Sequence, residues 1–300
     1  MNFRVVYIAN PCSLNFKNNS LVVKNEQGET NVPLNDISTI LIDNLQVNIS
    51  AFLLSKISES KIVLIVVDER HLPCGVLLPY SGKVRMLEAY SYQMNLKDEF
   101  VGNLWKKIVK NKIENQARVL EFGNQLSFIK LKNYTLELKP HDSTNIEGSA
   151  ALLYWKMIFS NSLDYFTRNK DDIRNSSLNY GYAILRSIIA NSLTCKGFIL
   201  HQGIHHKNQQ NQFNLADDII EPFRPFVDLE VYNMFELEGI DEENLTKDIK
   251  KRLLSIVDAT VLINNEKFTM LNAIDKYTDS LFNSFKKQNI DELIEVSIWI

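Results

Sequence analysis

The stretch Gly75-Val76-Leu77-Leu78-Pro79-Tyr80-Ser81-Gly82-Lys83-Val84 separates two textures of sequence. On its N-terminal side, short segments with β-branched and aromatic residues recur at 5–8, 21–24, 37–42, 62–67 and 75–78. Turn signals such as Asn10-Pro11, Asn18-Asn19 and Gln27-Gly28 lie between them. One helix interrupts this pattern: Ser50 suits an N-cap, and Leu53, Leu54 and Ile57 follow at helical spacing. On the C-terminal side the apolar period is helical. Leu104, Ile108 and Val109 form one stripe; Ala150, Leu153, Tyr154 and Met157 form another. The chain therefore reads as α+β, with a small β-rich N-terminal domain over residues 1–80 and a larger, mostly α-helical domain over 81–300. The terminal Val296-Ser297-Ile298-Trp299-Ile300 fits either a strand or a docked tail.

With 300 residues, 45% hydrophobic and 23% charged, the chain can bury a core without disulfides or structural metal. Cys12, Cys74 and Cys195 are widely spaced, and no pair has zinc-ligand spacing, which points to three reduced thiols. The apolar run at 62–67 is too short to cross a bilayer, and the N-terminus runs into a strand pattern without a signal-peptide core. A soluble cytoplasmic protein without membrane contact is expected. The formal net charge of −3 does not advertise nucleic-acid binding, but a DNA enzyme needs only a local basic face. Residues 97–139 hold nine basic side chains against five acidic ones, a surplus of four, with Lys106, Lys107 and Lys110 as DNA-binding candidates. A solvated helix face is the alternative.

Three segments of the second part carry chemistry-bearing residues. In Asn145-Ile146-Glu147-Gly148-Ser149-Ala150-Ala151, Glu147 precedes a run of small residues. Thr144 and Glu147 also fit a capping box, in which the Glu would only satisfy a backbone amide. Between Gly197 and Asn214 stand His201, His205 and His206, three of the five histidines in the chain. Such a cluster suits a metal-binding or catalytic loop, or a polar surface loop. In Asp217-Asp218-Ile219-Ile220-Glu221-Pro222-Phe223-Arg224-Pro225, Asp218 and Glu221 share a helix face, and Pro222 should end or kink that helix. Two neighbouring carboxylates repel unless a cation lies between them. Oxygen ligands with one imidazole suit Mg²⁺ or Mn²⁺ better than zinc. A solvated acidic turn is the alternative.

In order and spacing, these segments resemble the CRISPR-associated adaptation integrase family, in the form found in type II systems. The resemblance rests on Ile146-Glu147-Gly148 with Ala150-Ala151, and on Leu178-Asn179-Tyr180-Gly181-Tyr182. It rests equally on Gly197 with Gly203-Ile204-His205-His206, and on Asp218-Ile219-Ile220-Glu221-Pro222-Phe223-Arg224-Pro225. It covers essentially the whole chain. The resemblance implies a catalytic metal site of Glu147, His206 and Glu221, with Glu221 standing where many members have Asp. It places Asp218 behind the ligands or at a second metal, and leaves His205 as the rival of His206. Arg224 and Tyr180 become candidates for contact with DNA, although Tyr180 also reads as a buried helix aromatic.

The implied reaction joins the 3′-OH ends of a captured double-stranded DNA fragment, the prespacer, to phosphates at the borders of a CRISPR repeat, with Mg²⁺ or Mn²⁺. The implied partners are a second copy of the chain, the companion adaptation protein (Cas protein two), and the type II RNA-guided effector nuclease. The N-terminal domain is the implied dimerisation unit. Two other classes compete: a metal-dependent structure-specific nuclease in repair, and a non-catalytic DNA-binding scaffold.

Overall fold

The run Ile37-Ser38-Thr39-Ile40-Leu41-Ile42 is buried at every position in the computed structural model, as a strand covered on both faces must be. Residues 4–79, 86–160 and 166–300 are described; the expected domain boundary near residue 80 lies outside them. The chain divides into two units, Met1–Val84 and Arg85–Ile300.

The first unit holds β1 (Arg4–Ile8), β2 (Ser13–Lys17), β3 (Ser20–Asn25), β4 (Gly28–Pro33), β5 (Ile37–Ile42), β6 (Asn48–Ile49), α1 (Ala51–Glu59), β7 (Val63–Val67) and β8 (Pro73–Leu77). One sheet runs β1-β5-β7-β8, with β1, β5 and β7 parallel and β8 antiparallel. The other runs β4-β3-β2-β6. Its β2–β3 hairpin turns at Asn18-Asn19, where φ values of 49° and 54° are those of a tight turn that matches strand twist. Ser50 caps α1 as expected, its side chain accepting from Leu53 N–H at 3.3 Å.

The second unit holds α2 (Met86–Met94), α3 (Asp98–Phe122), α4 (Phe128–Glu137), α5 (Ile146–Ile158), α6 (Ile173–Cys195), α7 (Asn214–Ile219), α8 (Arg224–Tyr232) and α9 (Lys247–Leu254). It closes with β9 (Thr260–Ile263), β10 (Glu266–Thr269), α10 (Met270–Lys287) and β11 (Ser297–Ile298). The β-rich-then-helical order matches the sequence expectation. Two helices form the centre. α3 buries 13 of its 25 residues and α6 buries 15 of 23, so neither is an ordinary one-faced surface helix. At Gly181 a Cβ would collide with Val227, so glycine is what lets α6 pack so closely on α8. The C-terminal segment is a docked strand, β11 pairing antiparallel with β9. Among the described residues no helix is long and apolar enough to cross a membrane.

Candidate metal centre

Glu147 is the second residue of α5, and it does not cap its helix. Asp142 does that work, accepting from Ile146 N–H at 2.8 Å and from Glu147 N–H at 3.0 Å. The capping-box alternative therefore fails, and the Glu147 carboxylate is left to reach α3. There its Oε1 accepts from Lys112 Nζ at 2.6 Å.

Pro222 breaks the helix as expected. α7 stops at Ile219, a 3-10 turn spans Glu221–Phe223, and α8 begins at Arg224. The break sends the two neighbouring carboxylates to different partners, so Asp218 and Glu221 are not paired around one shared position as the sequence suggested. Glu221 points to α3, where its Oε2 lies 2.5 Å from Lys112 Nζ, and its Oε1 accepts from Arg224 Nε at 2.9 Å. Burial would raise the Glu221 carboxyl; Arg224 and Lys112 outweigh it and hold the group well below the usual carboxylate range. Burial likewise opposes the charge on Lys112, and Glu221 and Glu147 more than restore it.

Asp218, wholly buried, organises the histidine loop instead. Its carboxylate accepts from the backbone N–H groups of Ile204 (2.5 Å), His205 (3.0 Å) and His206 (3.0 Å). It also holds His206 Nδ1 at 2.7 Å. An ionised carboxylate only accepts, so Nδ1 carries a proton and Nε2 is the nitrogen left for a ligand. The hydrogen bond to Asp218 raises the His206 pKa against burial, and the charges of Asp218, Glu221 and Asp217 add to the rise. Gly203 is needed for this approach: a Cβ there would run into the His206 carbonyl oxygen and lie 2.8 Å from Asp218 Oδ2. His205, the rival ligand, is exposed and stacks flat on Trp105, with ring centroids 4.3 Å apart.

The donor set suits a hard divalent cation: two carboxylates already meet on one cationic nitrogen, and an imidazole has its ring fixed by a carboxylate. Glu221 Oε2 is buried, and its close polar contact is the Lys112 ammonium at 2.5 Å. Among the described residues no three His, Cys, Asp or Glu side chains are drawn together tightly enough to grip an ion. The position between Glu147 and Glu221 is filled by Lys112.

The remaining candidates divide. Tyr180 is 0% exposed, so it serves the core and offers no face to DNA. Arg224 pairs with Glu221 and lies over the Tyr182 ring at 4.7 Å. Lys107 donates to the Ile290 carbonyl at 3.0 Å, and Lys110 pairs with Glu114 at 3.5 Å; Lys106 is half-buried on the same helix. Sequence reasoning missed three contributors. Lys112 counts in the sequence only toward the basic surplus of residues 97–139. Arg168 and Arg186, with Asn179, Tyr182, Asp217 and Arg224, line a cavity of about 220 Å³. No spacing signal marks either arginine; only the fold gathers them.

Comparison with known proteins gives one consistent result. The family described as "CRISPR associated protein Cas1" matches residues 6–265. A CRISPR-associated endonuclease Cas1 of Neisseria meningitidis serogroup C (strain 8013) is 37% identical over 294 residues, covering 98% of this chain and 95% of that protein. Among solved structures, a casposase bound to integration product superposes with a TM-score of 0.78 at 18% identity, covering 96% of this chain and 91% of that one. A Cas6-RT-Cas1–Cas2 complex matches with a TM-score of 0.75 at 18% identity, covering 99% of this chain and 36% of that one.

Proposed function

The chain belongs to the Cas1 family of CRISPR-associated proteins, and on that premise we propose that it is an adaptation integrase that inserts prespacer DNA into a CRISPR array. The observation that carries this reading is the convergence of Glu147 and Glu221 on one cation position, with the Asp218-anchored His206 within electrostatic reach of Glu221. Glu147, His206 and Glu221 would hold Mg²⁺ or Mn²⁺, which would supply Lewis acidity at the target phosphate and the departing 3′-oxygen. Asp218 fixes the His206 ring and orients the ligand from behind. Its oxygens are already taken by four N–H donors, so it serves as orienter rather than second-metal ligand. Arg224 neutralises Glu221 and offers its remaining donors to a phosphate.

In the reaction, a new P–O bond to the incoming 3′-oxygen forms as the target strand's own P–O3′ bond breaks. The attacking hydroxyl loses its proton and the departing oxygen gains one. One phosphodiester replaces another, so the step needs no ATP and runs in both directions. The partners of this reading are double-stranded DNA, a second copy of the chain docked through residues 1–80, and the companion protein Cas2. The type II RNA-guided effector and a cytoplasmic setting complete it.

The Neisseria relative is named an endonuclease, which favours hydrolysis as a second reading, with the same site and water as acceptor. A branched DNA that mimics a half-integrated spacer separates the two. With the target strand labelled at its 5′ end and Mg²⁺ or Mn²⁺ present, resealing produces a longer labelled strand, and hydrolysis does not. Glu147→Ala, His206→Ala and Glu221→Ala should each abolish that product while leaving the fold intact. Flap release without the longer strand, even with Cas2 present, would replace the integrase reading with the nuclease one.

A further inference from the structure

Lys112 has an environment that lysine seldom occupies. Its side chain is 12% exposed, and its ammonium lies 2.6 Å from Glu147 Oε1 and 2.5 Å from Glu221 Oε2. These are the two carboxylates assigned to the divalent cation. With Arg224 as the other partner of Glu221, two cations and two carboxylates balance within the protein. The backbone beneath Lys112 is fixed. Its neighbours Asn111 and Ile113 are buried, Asn111 bonds both N–H and C=O of Val296, and Asn115 Nδ2 donates to Pro222 O at 2.9 Å. The four-carbon side chain is not held in the same way: its polar contacts are those two carboxylates. A lysine head is a compact point charge on a flexible stem, able to leave one anion for another without moving its helix.

We infer that Lys112 is the resident counter-cation of the metal centre: it draws Glu147 and Glu221 together and gives up its place when the divalent ion binds. The inference rests on the metal-centre reading above and concerns a positioning residue that acts through the two carboxylates. A lysine and a divalent ion cannot share one position between the same oxygens at contact distance, so each disfavours the other. Removing the lysine charge should therefore tighten metal binding. A merely structural ion pair would do the opposite, since its loss would let the carboxylates part.

Mn²⁺ alone is the probe, titrated into the full chain and followed by electron paramagnetic resonance of the free ion, without DNA. Lys112→Met, close in shape but uncharged, should bind Mn²⁺ roughly tenfold or more tightly than the wild type, the scale of losing one close like charge. Its melting temperature should fall below that of the wild type in a chelator, and the gap should narrow or reverse in saturating Mn²⁺. Equal or weaker Mn²⁺ binding, or a melting deficit that Mn²⁺ leaves unchanged, overturns the inference. If Lys112→Met does not fold, Lys112→Gln carries the same expectations. Glu147→Ala and Glu221→Ala tell the two ideas apart. If they bind Mn²⁺ as the wild type does, the metal-centre reading falls and the inference with it. If they lose Mn²⁺ while Lys112→Met gains nothing, the inference alone falls.

Discussion

Asp228 is fully buried on α8, where it accepts hydrogen bonds from Tyr154 (2.9 Å) and Tyr182. Burial raises its carboxyl to about 6, against the pull of both tyrosine hydroxyls and of Arg168 and Arg224. The cluster supports the site: the Tyr182 ring it fixes lies under the Arg224 guanidinium, and Arg224 in turn holds Glu221. A carboxyl whose folded pKa lies above its unfolded value binds more protons in the folded state, so its ionisation opposes folding as pH rises. The penalty is absent below the ordinary carboxyl range and complete above about 6. Asp228→Asn carries no such term. Urea unfolding should show the variant gaining on the wild type by roughly 1–3 kcal/mol between pH 4 and pH 7. A stability difference that stays constant across that range would place the Asp228 titration elsewhere. The sequence shows Asp228 only as one more acid on an amphipathic helix; its burial comes from α5 and α6 closing over it.

At the scale of the element, α3 is the spine of the proposed metal centre. From the sequence, its lysines fit either a DNA-facing basic surface or a solvated helix face, because charge counts carry no information about which face meets a neighbour. In the fold, Lys112 turns inward to Glu147 and Glu221, Trp105 carries the stacked His205, and Asn111 and Asn115 bind the C-terminal strand. Asn115 joins two distant pieces of chain: its Nδ2 donates to the carbonyls of Pro222 (2.9 Å) and Val296 (3.0 Å), and its Oδ1 accepts from Ile298 N–H at 3.2 Å. Asn115→Ala removes this partner from the Pro222 carbonyl and the Ile298 N–H, while Val296 O keeps its bond from Asn111 Nδ2 at 2.8 Å; each buried group left unpaired costs about 1–3 kcal/mol. The variant should melt several degrees lower, and hydrogen exchange should speed up at Ile298 and in the turn after Pro222. Unchanged protection at both would mean that α3 does not tie them. The helix itself was legible from Leu104, Ile108 and Val109; its buried polar face was not, since asparagine in a helix usually faces water.

At the scale of the molecule, charge distribution matters more than the net −3. Arg168 and Arg186 stand with Arg224 around one cavity beside the proposed metal ligands. Arg168 is bound by the neutral amides of Asn175 and Asn179, and Arg186 is 3.9 Å from Asp217, so the cavity keeps a positive surplus for a phosphate backbone. Arg168→Ala and Arg186→Ala should each weaken binding to unrelated DNA sequences about equally. Each should also flatten the dependence of log affinity on log salt by about one contact. Reversing Lys106, Lys107 and Lys110 to Glu tests the other face. Weakening there alone, with both arginine variants unaffected, would move the DNA path from the cavity to α3.

By itself the sequence determined the order of architecture, a β-rich unit and then helices, because strand and helix periods and turn residues are local properties. It also marked the segments proposed to carry the chemistry, since Glu147, the His206 loop and the Pro222-broken helix are each distinguished by neighbours within a few residues. Only the tertiary structure decided how these groups divide their work. Asp142 rather than Glu147 caps α5, Asp218 serves the histidine loop, and Glu221 meets Glu147 across Lys112. The pairing of Glu147 and Glu221 with Lys112 joins residues on α5, the turn before α8 and α3. Which carboxylate faces which cation depends on how separate helices pack, and no local spacing records that.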